Sequence, residues 1–143
     1  MRAFLRIILV IPLGLIAAIL AATAVYLAAF GFPAADFAAT PEGLPPPVLQ
    51  PALVLTAVIA RTALLPFLVA IAASEIFAFR SLLGWLLFGG LLGFGLQLLG
   101  FPPELAAPSS FLPPTAGGIA GAFAYWLVAG RGAGLSLTSP ERE

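Results

Sequence analysis

The chain has 143 residues with six arginines, no lysine and six acids, so its formal net charge is zero. Only 8 % of it is charged and 62 % is hydrophobic, where a soluble domain carries about 25 % charge. A mean hydropathy of +1.13 makes this an integral membrane protein. With no Cys and no His, disulfides, thiolate or imidazole metal ligands and His- or Cys-based catalysis are excluded. Zero net charge leaves a nucleic-acid partner without electrostatic support.

Two arginines, Arg2 and Arg6, precede a first apolar run over residues 7–30. A basic start and the small-x-small triplet Ala22-Thr23-Ala24 suggest a signal peptide. Signal cores span only ~7–15 apolar residues, however, and this run continues well past that length, so an uncleaved helix is expected. Residues 31–51 hold six prolines with Asp36 and Glu42. The Pro45-Pro46-Pro47 run favours extended polyproline II, and a stiff surface loop is expected here.

The second apolar run, 52–73, carries Arg61 near its centre and Pro66 five residues on. Its eleven Leu, Ile, Val and Phe residues favour insertion by roughly 3–7 kcal/mol, against ~2.5–3.5 kcal/mol for a central Arg. A spanning helix results, with a cation inside it. Pro66 withholds a donor from the carbonyl of Thr62, which predicts a kink. An ionisable residue at this depth is a functional-site candidate, although it also serves structure by snorkelling or pairing.

Residues 74–81, SEIFAFRS, are the polar break before the third helix, 82–99. A tight turn is expected there, with Glu75 and Arg80 able to pair across it and Ser81 capping the next helix. The third run has five glycines. Gly89 and Gly93 have the spacing that lets helices approach closely in lipid, and Gln97 calls for a polar partner. A second proline-rich loop, with Glu104, leads through Pro113-Pro114 into a fourth helix over 112–129. Gly117 and Gly121 repeat the close-packing spacing there. Residues 131–143 read as a disordered cytoplasmic tail.

These elements give an all-α fold, a four-helix transmembrane bundle with both termini inside. Arg2, Arg6, Arg80, Arg131 and Arg142 fall on one side and the two opposite loops hold no Arg or Lys, so that side is cytoplasmic. Trp85, Tyr125 and Trp126 are expected together at that interface. Arg61, Gln97 and Glu104 are expected to form a polar cluster in the outer half of the bundle. Arginine without lysine, with abundant Ala, Gly and Pro, accords with a GC-rich bacterial gene. The segments SEIFAFRS and AFAYWLVAGRGAG resemble those of small four-span bacterial inner-membrane proteins of unassigned function, which implies that fold and the inner (cytoplasmic) membrane as location.

No phosphate-binding Gly-rich loop with Lys, no His-Glu-x-x-His and no Gly-x-Ser-x-Gly occurs. The chain therefore reads as non-catalytic and without a cofactor. Beyond the lipid bilayer, its expected partners are other membrane subunits or itself, as an accessory or assembly subunit. The alternative is a small oligomeric transporter or channel, with Arg61 drawing anions into the membrane.

Overall fold

The computed structural model describes residues 6–40, 43–100 and 108–133. Within them the chain is all-α, with four helices: α1 (Ile11–Ala29), α2 (Leu49–Ile76), α3 (Leu82–Gly100) and α4 (Leu112–Val128). Three apolar stretches, Ile8–Ala29, Leu49–Ile76 and Leu82–Leu99, are long and apolar enough to cross a membrane.

Local chemistry explains the helix ends. Pro12 cannot donate to the carbonyl of Ile8, and the turn before it widens into a π-helical Arg6–Val10. Pro51 stands in the first turn of α2, where no N–H is needed, so α2 starts three residues earlier than its apolar run suggests. It also ends three residues later, because Ser74 turns its hydroxyl back to the carbonyl of Ile71 instead of breaking the helix. The helix then stops with Ala78 at φ 51° and the Phe79 N–H bonded to the carbonyl of Ser74. This is a Schellman arrangement with alanine where glycine is usual. The hairpin turn is thus confined to residues 77–81. Ser81 Oγ accepts the N–H of Gly84 and caps α3.

Two further segments are more ordered than composition suggests. The first loop contains a 3-10 turn, Ala34–Phe37, and the carbonyl of Asp36 accepts the N–H of the buried Val48. Past α4, Gly130–Gly132 form another 3-10 turn and Ala133 is buried. The rest of the tail, 134–143, lies outside the described residues.

Helix α4 is the middle of a three-helix layer, packed extensively against α1 on one flank and α3 on the other. Glycine makes both approaches possible. A Cβ on Gly89 would lie 2.2 Å from the carbonyl oxygen of Gly118, and one on Gly93 2.0 Å from that of Pro114. On the α1 side, Gly117 and Gly121 face the carbonyls of Ala22 and Ala18 at 3.1 and 2.9 Å from the same ideal Cβ position. Helix α2 lies across this layer and touches it sparingly. It is held at one end by Phe67 and Ile71, which enter an aromatic core with Trp85, Phe88 and Tyr125. Trp85 and Tyr125 are 2 % and 0 % exposed. They are core residues with ring centroids 4.6 Å apart, not members of an interfacial belt. Of the three aromatics expected at the interface, Trp126 alone is partly exposed.

Candidate functional site

The outward face of α2 is the most unusual surface of the molecule. Only 11 % of its apolar stretch is buried within the chain, half the 22 % of α1 and α3. Leu53, Val54, Ala57, Val58, Arg61, Leu64, Leu65, Leu68, Val69, Ala72 and Ile76 are all exposed. They recur at three- and four-residue steps, so they form one stripe along the whole helix, and Arg61 sits in the middle of it.

The depth of Arg61 follows from helix geometry. The 28 residues of α2 make a rod about 42 Å long, against a hydrocarbon core of ~30 Å. The midpoint falls between Thr62 and Ala63, so Arg61 lies about 2 Å from it along the axis. Tilting shortens both halves but leaves the midpoint central. In a bilayer-spanning α2 the guanidinium therefore starts about 13 Å from the nearer polar boundary. That is farther than an arginine side chain extends, so snorkelling alone does not bring it to water. Pro66 is accommodated within a continuous α2, and the Thr62 hydroxyl donates to the carbonyl of Val58 one turn earlier.

Gln97 is on a different surface. It is half-buried in α3 and lines a groove of ≈ 310 Å³ between α2 and the three-helix layer. Val58 and Leu64, at the two edges of the exposed stripe, reach that groove; Ile59 and Ala63 of α2 line it too, and Arg61 does not. Being two residues from each, Arg61 projects from the opposite side of α2. Among the described residues no hydrogen bond or ion pair joins Arg61 to Gln97, and Glu104 lies outside them. The groove is apolar apart from Gln97, Thr62 and Tyr26, and its floor is the glycine face of α4.

Two hydroxyls tie α2 to α1. Thr23 Oγ1 and Thr56 Oγ1 are 3.2 Å apart, and Thr56 also donates to the carbonyl of Ala52. Neither residue carries a motif. The one signal for them is position, six residues before the end of α1 and seven after the start of α2. At the other end of the bundle, the turn between α2 and α3 meets the end of α4. Trp126 Nε1 donates to the carbonyl of Arg80 at 2.9 Å, and Arg80 Nε donates to the carbonyl of Ala133. The Arg131 guanidinium stands 5.1 Å over the Trp126 ring, a cation–π contact. The pairing of Arg80 is thus with the backbone after α4, a contact no spacing in the sequence announces.

Among the described residues no group of three or more His, Cys, Asp or Glu side chains gathers as metal ligands would. No family model matches this chain, and no curated protein and no solved structure is significantly similar to it.

Proposed function

We infer that this chain is a non-catalytic integral membrane protein of the bacterial inner membrane, crossing it four times with both termini in the cytoplasm. It serves as an accessory or assembly subunit that packs against a larger membrane complex or itself. The observation that carries this reading is the bare face of α2 with a guanidinium at its centre. The glycine faces of α3 and α4 point the same way less than their spacing suggests, because α4 takes up that of α3 and α1 takes up that of α4 inside the chain. What remains free for a partner is α2.

A transporter or channel draws less support. Its natural path would be the groove behind α2, and that groove is apolar and does not include Arg61. A hydrated pathway needs polar lining groups.

Purification in a mild detergent, with mass analysis of the intact assembly, tests the docking reading. It expects a stoichiometric species heavier than the 14.7 kDa chain. Replacing Leu65, 74 % exposed on the stripe, by Glu should release that partner while the chain stays folded. A chain that purifies alone under every condition that preserves other membrane complexes would argue against it.

A further inference from the structure

We propose that the occupant of the α2 face is a membrane-spanning helix of another protein that presents an aspartate or glutamate to Arg61 near the bilayer midplane. This rests on the docking reading above and adds the chemistry of the partner. Arg61 is exposed on a stripe of otherwise apolar side chains. Its position near the middle of α2 holds it away from both polar boundaries. Ionisable groups at that depth are paired or face a protein interior.

Among the described residues no acid reaches Arg61. The described acids are Asp36, in the turn of the first loop, and Glu75, near the end of α2. Glu75 is fourteen residues along α2, about 21 Å away on the same rod. A second copy is disfavoured as well. A two-fold axis along the membrane normal would set the two Arg61 side chains face to face at one depth, where low dielectric magnifies their repulsion. A carboxylate meets the need best. It accepts both limbs of the guanidinium fork, and it neutralises the charge that an apolar neighbour would leave bare. The rest of the stripe then supplies ordinary helix-to-helix packing around a central ion pair.

The test uses the full chain in its native membranes, with a photo-crosslinking amino acid at Leu65, one turn from Arg61. The expected result is one adduct to a heavier protein, with the linked peptide in a membrane-spanning segment that contains Asp or Glu. Adduct yield per chain should fall about five- to thirtyfold in Arg61→Leu, the range one interhelical polar contact spans in model peptides. It should be largely kept in Arg61→Lys. Combining Arg61→Asp with replacement of the partner's acid by Arg should restore it. A yield unchanged by Arg61→Leu, a linked segment without an acid, or an adduct of twice the chain mass overturns the carboxylate assignment and leaves docking through α2 standing. No protein adduct from Leu65, Val58 or Val69 overturns both.

Discussion

Ala78 shows how one residue can hold a hairpin at a cost. It sits at φ 51°, a left-handed conformation that costs a residue with a Cβ roughly 1–2 kcal/mol. The Phe79 N–H reaches back to Ser74 only because Ala78 turns that way. Glycine at this position removes the strain and keeps the bond, at some expense in unfolded-chain entropy. Ala78→Gly is therefore expected to stabilise the protein by about 0.5–1 kcal/mol, read as a higher midpoint of thermal unfolding in detergent micelles. A lower midpoint would mean that the turn draws its stability from the alanine side chain instead. The same hairpin is tied to the far end of the chain through Arg80, Trp126 and Ala133. Its geometry thus bears on more than two helices.

Among the elements, α4 is defined by what its neighbours lack. Gly93 opposes the backbone of Pro114 and Thr115, with its ideal Cβ 2.0 Å from the Pro114 oxygen, whereas nothing lies within 4 Å of a Cβ on Gly95 two residues away. Backbone atoms cannot step aside as a flexible side chain does, so Gly93→Ala must push α3 and α4 apart. A loss of about 1–3 kcal/mol is expected from such overpacking, with Gly95→Ala close to neutral. Thermal unfolding of the two variants side by side checks this, and equal stability would refute the close approach of α3 to α4. The sequence makes helix positions legible because apolar runs and proline clusters mark where hydrocarbon ends. Its Gly89/Gly93 and Gly117/Gly121 spacings also single out positions of close approach. Which neighbour each pair meets is not written there. Nor is the outward direction of Arg61. For a helix in lipid, inside and outside are both apolar, so α2 carries no amphipathic signal that would tell one face from the other. Gln97 and Arg61 look like partners by depth alone, and only the helical phase of α2 relative to the groove separates them.

At the scale of the whole molecule, the proposed four crossings turn on α4. It has 17 residues, about 25 Å at helical rise, and falls short of the three apolar stretches that are long enough on their own. Its packing against α1 supports the proposed crossing. Gly14 of α1 packs against Tyr125 and Ala129 near the end of α4, and Ala22 packs against Gly117 near its beginning. Helix α4 therefore runs antiparallel to α1 over most of that helix. The turn Pro108–Phe111 lengthens it at its start, where Phe111 meets Phe94 at 5.1 Å. At its end the carbonyl of Ala133 is held by Arg80, from the turn between α2 and α3. If α2 spans, that contact puts the α2–α3 turn and the end of α4 on one side and the first loop on the other. The chain has no cysteine, so single cysteines report each position without background. Ala39→Cys, exposed in the first loop, should react with a membrane-impermeant maleimide on spheroplasts with an intact inner membrane. Ser81→Cys and Gly132→Cys, both exposed, should react only after that membrane is opened. Protection of all three would contradict the outward first loop. Labelling of Gly132→Cys but not Ser81→Cys would mean that α4 fails to return, and the bundle would then have three crossings with its termini on opposite sides.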